Sequence, residues 1–359
     1  MKQKLEILHQ KYQQFYNIAF FVLGFFFDVF TLGRIDDLSN LYILLLYIIV
    51  AKIFLIEIYL KKNIIPYPKK IIQYVLEYRT EAFHFCLGAL LSAMTIFFFK
   101  SSSNMISHVL LGVIIFLLLI NESSYLKSSS TRFKIILMLM AVNSFFVVFF
   151  PVLMASLNPF IFIGTQILFI IYSFLTFHFL RKSDYEDRTL VKHWIKPSLI
   201  ITLTMSAFYF TKSLPPVPLH LQKIGIYHQV KKEYPKYRLT YKRRPYYIWK
   251  DSSNPFYAKE GDILFVFTRV FAPKGFKQKI YLHWEIEKGG DWMESDKIPL
   301  NLLGGREDGF RGYGLKKNFV PGNWRIYVKT ESGLEIGKIS FSILPIGELK
   351  LISKEEIDL

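Results

Sequence analysis

The sequence predicts a protein in two parts: a membrane α-helical bundle of about seven transmembrane helices, then an all-β domain that is antiparallel and sandwich-like. Three observations predict it. Hydrophobic residues fill 52% of the 359 positions, and 35 of them are Phe. The long unbroken apolar runs lie within residues 1–211, which hold only 19 of the 45 Lys+Arg and 11 of the 28 Asp+Glu. After residue 212 the charge density rises and apolar residues alternate with polar ones. A helix that crosses about 30 Å of hydrocarbon at about 1.5 Å per residue needs about 20 apolar residues. Alternation with period two marks strands that bury one face. The predicted domains are residues 1–213, a multi-pass helical domain; 214–222, a proline-rich linker; and 223–359, an extracytoplasmic all-β domain.

Seven apolar segments are expected to span, at about 16–32, 40–60, 82–99, 105–120, 134–155, 159–180 and 196–212. The opening "MKQKLEILHQKYQQFY" reads as a short amphipathic helix lying on the membrane face. The run after it contains Asp28 and lacks a small-residue cleavage site, which argues against a cleaved signal peptide. Basic residues gather in the N-terminal tail (Lys2, Lys4, Lys11) and in every second connection: Lys61, Lys62, Lys69, Lys70 and Arg79; Lys127, Arg132 and Lys134; Arg181, Lys182, Arg188, Lys192 and Lys196. The alternate connections hold Arg34, then Lys100, then none. Basic short loops stay on the cytoplasmic side. The N-terminus is therefore expected inside and, after seven crossings, the β domain outside.

The apolar segments contain Asp28, Lys52, Glu57, His84, His108, Asn143, Gln166 and His178. A charge in hydrocarbon costs roughly 2.5–3.5 kcal/mol on insertion scales, so such groups face the bundle interior or water. Asp28 and Lys52 could pair between the first two helices, with Lys52 snorkelling, and Glu57 can meet Lys61 one turn on. The alternative is a transporter or ion-coupled protein with Asp28, Lys52 and Glu57 in its path; the interrupted, repeated halves usual in transporters are not apparent. Cys86 is the only cysteine, which excludes an intramolecular disulfide and a cysteine metal cluster. The eight histidines are scattered and H-E-x-x-H is absent, so neither a metal nor a cofactor is expected.

"TKSLPPVPL" marks the domain boundary, because Pro215, Pro216 and Pro218 cannot continue a helix and favour a semi-rigid polyproline II stalk. Beyond it, Leu264, Val266, Thr268 and Val270 share one face of a strand. Ile280, Leu282, Trp284 and Ile286 alternate with Tyr281, His283, Glu285 and Glu287; Trp324, Ile326 and Val328 alternate with Arg325, Tyr327 and Lys329. "TESGLEIG" reads as a hairpin turn with Gly333 at positive φ. Trp284 and Trp324 are predicted core, whereas Trp249 and Trp292 lie in turn-like sequence as surface anchors or a carbohydrate platform.

The stretch "IPLNLLGGREDGFRGYG", residues 298–314, sets glycines around Arg306, Glu307, Asp308 and Arg311. It lacks the Lys-Ser/Thr of a phosphate-binding loop and the alternating Asp/Asn of an EF-hand. Two readings stand. One is a strand connection locked by arginine–carboxylate pairs. The other is a ligand or partner site of Arg306, Glu307, Asp308, Arg311, Tyr313 and Trp292, since charged glycine-rich loops on rigid scaffolds often carry sites. No catalytic residue is assigned: there is no G-x-S-x-G elbow, and an envelope carbohydrate-acting enzyme would need two carboxylates facing one cleft. In 230–250, Lys231, Lys232, Lys242, Arg243 and Arg244 interleave with tyrosines. Outside the cytoplasm they suit anionic headgroups, or a solvated strand edge, better than nucleic acid.

The motifs "LPPVPL", "GIYH", "VFAPKGF", "IPLNLLGGREDGFRGY" and "PGNWRIYVKTESGLEIGKISF", in that order over about residues 214–345, resemble the bacterial family named domain of unknown function 2914. The resemblance implies a bacterial protein, hence the cytoplasmic (inner) membrane, and a β-rich domain often preceded by membrane spans. It carries over no catalytic residues. The expected function is a membrane-anchored binding or interaction module. Its expected partners are the lipid bilayer and an envelope polymer, an anionic lipid or another protein.

Overall fold

The computed structural model describes residues 25–26, 28–30, 32–61, 69–103, 107–122, 131–182, 186–246, 249–259, 261–305, 308–346 and 351–358. The chain forms two compact units. One comprises Met1–Phe99, His108–Met154 and Pro159–Thr211; the other comprises Lys212–Leu359 together with Lys100–Ser107 and Ala155–Asn158.

The first unit is helical. Its elements are α1 (Leu38–Leu60), α2 (Lys69–Ser101), α3 (Ser107–Glu122), α4 (Thr131–Leu153), α5 (Pro159–Arg181), α6 (Asp187–Leu190), a π-helical turn (Val191–Ile195) and α7 (Lys196–Phe210). Asp37 caps α1 by accepting from the Ser39 amide. Pro159 opens α5, where its missing N–H costs nothing, and Pro151 falls in the last turn of α4. Among the described residues, four helices are long and apolar enough to cross a membrane: Leu38–Leu60, Tyr78–Ser101, Thr131–Leu153 and Pro159–Arg181. The expected seven are thus reduced to four on this criterion. Segment 105–120 becomes the 16-residue α3. Segment 196–212 becomes the 15-residue α7, continued backwards without a break by the π turn and α6. Most of segment 16–32 lies outside the described residues. Large apolar side chains point outward along these helices, among them Phe160, Leu203 and Phe210. Water would penalise such exposure; hydrocarbon does not.

The helical polar groups meet separate partners. Asp28 accepts from the Ser92 hydroxyl at 2.7 Å, and Lys52 Nζ sits 4.2 Å from the Tyr172 ring centre. Neither is engaged with the other. Glu57 is fully buried on α1. His84 and Asn121 bond each other, and the Asn143 amide donates to Gln166 Oε1 at 3.1 Å.

The second unit holds eleven strands in the described residues: β1 (His220–Tyr227), β2 (Gln229–Glu233), β3 (Lys236–Arg243), β4 (Phe256–Ala258), β5 (Leu264–Phe271), β6 (Lys277–Lys288), β7 (Asp291–Leu303), β8 (Phe310–Lys316), β9 (Gly322–Thr330), β10 (Glu335–Pro345) and β11 (Ile352–Asp358). They form three sheets, ordered β1-β5-β8, β4-β10-β9-β6-β7 and β11-β3-β2. All pairings are antiparallel except β4 with β10. The β1-β5-β8 sheet is the middle layer. Leu264, Val266, Thr268 and Val270 take one face, and on the same face a Cβ at Gly314 would lie 2.8 Å from Leu282 of the five-stranded sheet. Phe265 and Phe267 take the other face and pack with Tyr227, Val230, Tyr237, Leu239 and Tyr241.

The expected alternation appears as strands. Ile280, Leu282 and Trp284 are fully buried on β6, and Trp284 meets Trp324 edge-on at 6.5 Å. Gly289 and Gly290, both at positive φ, join β6 to β7 in a two-residue hairpin. Gly333 adopts φ 85 in the β9–β10 turn. Pro299 sits on the edge strand β7, where a missing donor is tolerated. The proline run is packed rather than solvated: Leu214, Val217 and Leu219 are buried, and β1 starts at His220.

Candidate functional site

The site is built where the middle sheet meets β11-β3-β2. Period two divides the basic stretch: Val230, Tyr237, Leu239 and Tyr241 turn into the core, while Lys231, Lys236, Arg238 and Thr240 do not. The interleaving of tyrosine and cation is thus strand alternation. Lys242 and Arg243 lie near the end of β3, and Arg244 donates to the Tyr246 hydroxyl at 2.6 Å. Tyr234 and Pro235 form the β2–β3 turn, with Tyr234 89% exposed.

Opposite this turn lies the glycine-rich connection. Arg306 and Glu307 are outside the described residues. Gly304 must be glycine, because a Cβ there would lie 2.0 Å from the Pro273 carbonyl oxygen. Gly312 and Gly314 on β8 let that strand approach Leu300 and Leu282 of the five-stranded sheet, so Arg311 and Tyr313 face the other way. The Arg311 side chain is only 7% exposed. Its Nη1 donates to the Pro235 carbonyl at 2.9 Å, its Nη2 lies 3.4 Å from Asp308, and its Nε lies 3.4 Å from Asp358. A cavity of about 310 Å³ opens here, lined by Lys232, Tyr234, Pro235, Lys236, Tyr237, Asp308 and Arg311. Three cations, one carboxylate and two phenol rings are suited to hold an anionic group.

Asp308, Arg311 and Lys232 therefore come together, with Tyr313 close by, its ring 6.4 Å from that of Tyr237. Trp292 does not join them. It lies on β7 beneath the Arg325 guanidinium, 4.1 Å away, on the outer face of the five-stranded sheet. Trp249 is 75% exposed.

Behind the cavity are residues the sequence did not single out. Lys223 on β1 pairs across from Arg269 on β5, and Arg269 across from Arg311 on β8, so three cations stand in one row. Asp358 on β11 closes that row, its carboxylate 3.0 Å from Arg269 and 3.9 Å from Lys223. Glu356 meets Lys223 at 2.5 Å. The signal was present in "LFVFTRVF": one arginine in an otherwise apolar strand must find a carboxylate. His228 is structural. Its Nδ1 lies 3.0 Å from the fully buried Ser253 hydroxyl, and it stacks on Phe256. Burial, then Lys242, pushes its pKa down to about 4. Burial raises the Tyr227 phenol well above its usual range, with Glu356 adding to the effect. No group of three or more His, Cys, Asp or Glu that could hold a metal occurs among the described residues.

These strands can now be set beside known proteins. Residues 277–343 match the family described as Protein of unknown function (DUF2914). The DUF2914 segment runs from β6 into β10 and contains Trp292, Asp308, Arg311 and Tyr313. Lys232, Tyr234 and Lys236 precede it, as do the motifs "LPPVPL", "GIYH" and "VFAPKGF". No curated protein matches the chain. Among solved structures, a β-glucosidase from Listeria innocua in complex with glucose is 13% identical, with a TM-score of 0.18, over 30% of this chain and 16% of that one. The Pseudomonas fluorescens alkylpurine DNA glycosylase AlkC, bound to DNA containing an abasic site analog, is 9% identical with a TM-score of 0.18, over 87% of this chain and 99% of that one. At such scores neither likeness bears on the fold or activity of this chain.

Proposed function

We propose that the protein is a seven-span membrane protein that presents its β unit outside the cytoplasm as a binding module for an anionic group. The observation that carries the binding reading is the cavity at the β2–β3 turn, where Lys232, Lys236 and Arg311 converge beside the exposed Tyr234. The ligand chemistry is a phosphate or carboxylate, carried on an envelope polymer or a lipid headgroup. Support for seven crossings comes from the four long apolar helices, from α3, from the continuous run Asp187–Phe210, and from the apolar sequence at 16–32. Support for the outside location comes from the basic residues of the alternate connections.

Two experiments test this reading. A reporter active only outside the cytoplasm, fused after Leu359, gives signal, whereas one fused at Lys127 gives none; signal at neither position overturns the topology. The purified full chain binds soluble inorganic polyphosphate if the source is a polymer, or phosphatidylglycerol vesicles alone if it is a headgroup. Lys232→Glu with Lys236→Glu weakens either by about tenfold or more, two reversed charges at about 1 kcal/mol each being enough. Binding that ignores this double reversal overturns the site.

A further inference from the structure

We infer that the row Lys223–Arg269–Arg311 is a docking site for an acidic extended segment of a partner protein, and that β11 is the built-in occupant of that site. The inference does not depend on what fills the neighbouring cavity. It begins with how β11 is held. The strand lies at the edge of its sheet and pairs only with β3, from Ile352 opposite Arg243 to Asp358 opposite Tyr237. It buries no apolar side chain: Ile352 is 37% exposed and Ile357 is 54% exposed. A strand with no hydrophobic burial has low local stability. What remains is a main-chain ladder and two inward carboxylates, Glu356 and Asp358, spaced so that both reach the cation row.

That row cannot be left bare. Three cations in register, with Lys223 and Arg311 largely buried, repel one another and have lost much of their hydration. They require carboxylates at alternate positions of an extended chain, which is what a strand of the form acid-x-acid supplies. The native occupant satisfies them incompletely. Glu356 Oε2 and Asp358 Oδ2 are buried without a hydrogen-bond partner, as is Arg269 Nε. A partly satisfied network of this kind can be replaced by a competing segment that makes the same ladder with β3 and places its acids better.

The test uses the chain shortened to residues 1–351, in detergent, with a fluorescent peptide of the sequence LISKEEIDL. The shortened protein is expected to bind this peptide at least tenfold more tightly than a peptide with Gln and Asn in place of the second Glu and the Asp. Binding should weaken steeply with salt and be lost in Lys223→Glu. The intact chain should bind it at least tenfold more weakly than the shortened one. Equal binding of acidic and amide peptides by a folded shortened protein overturns the proposal. If the shortened chain does not fold, the intact Glu356→Gln, Asp358→Asn variant is used: it should now take the acidic peptide in trans, and failure to do so overturns the proposal. A dimer of the intact chain that disappears on shortening would assign the site to a second copy and overturn the partner reading.

Discussion

The two faces of the β1-β5-β8 sheet rest on different physics. Toward the five-stranded sheet the face is Leu264, Val266, Thr268 and Val270 with two glycines of β8, and the facing side chains of β6 are buried completely. Toward β11-β3-β2 the same three strands supply aromatic rings at one end and Lys223, Arg269 and Arg311 at the other. Apolar packing tolerates neither loss nor addition of volume. A charged row instead depends on its counter-charges, so it can be neutralised, exchanged or replaced. One sheet thus carries a fixed interface and an exchangeable one.

The largest effect is expected on the apolar side. Trp284→Ala should cost about 3–5 kcal/mol, because it opens a cavity that nothing nearby can fill. Thermal unfolding of the purified protein measures it, and a loss below about 1 kcal/mol would break the comparison. On the charged side, Asp358→Ala should cost about 3 kcal/mol by leaving Arg269 and Arg311 without their shared carboxylate. Replacing all five charged residues of the network by Met and Leu together should be close to neutral, within about 1 kcal/mol. No such rescue exists for Trp284.

Acid should come next. His220, stacked on Phe271, and His228 are both held neutral down to about 4, chiefly by burial, with Lys100 and Lys242 respectively adding to it. An unfolded chain protonates them near 6.5, so the unfolded state binds the extra protons. The stability these two groups contribute is complete above about pH 6.5 and falls as pH drops toward about 4. His228→Gln should flatten the dependence of melting temperature on pH in that window; an unchanged slope would contradict the role given to His228. The smallest effect belongs to the outer face of the five-stranded sheet. Lys297→Ala, which removes a cation 4.4 Å from the Tyr281 ring centre, should cost about 0.5 kcal/mol or less.

Much of the β unit was readable from local pattern. The alternation in "KIYLHWEIEK" predicts which side chains of β6 are buried, because a strand's side chains point to opposite faces whatever it pairs with. The candidate site was half readable. Of the residues the sequence proposes for the loop site, Asp308 and Arg311 line one cavity, joined there by Lys232 from the stretch read as a membrane-surface basic face, whereas Trp292 lies on another sheet and a different surface. Lys236 and Tyr234 were passed over because a turn between strands gives no sign of what it will face. The helical unit shows the opposite balance. Apolar composition marks the spans, but the π turn at Val191–Ile195, through which the helix continues, leaves no plain mark in composition.

The sequence by itself determined the partition into apolar helices and alternating strands, the faces of those strands, and the turn at Gly333, because each depends on residues within a few positions of one another. Only the tertiary structure decided that Lys223, Arg269 and Arg311 stand in one row, that Asp358 closes it, and that Gly304 and Gly314 are needed for close approach. Those facts depend on strand register and on which sheets stack. Pairing across more than a hundred residues is set by the summed packing of the whole unit, and no local stretch encodes it.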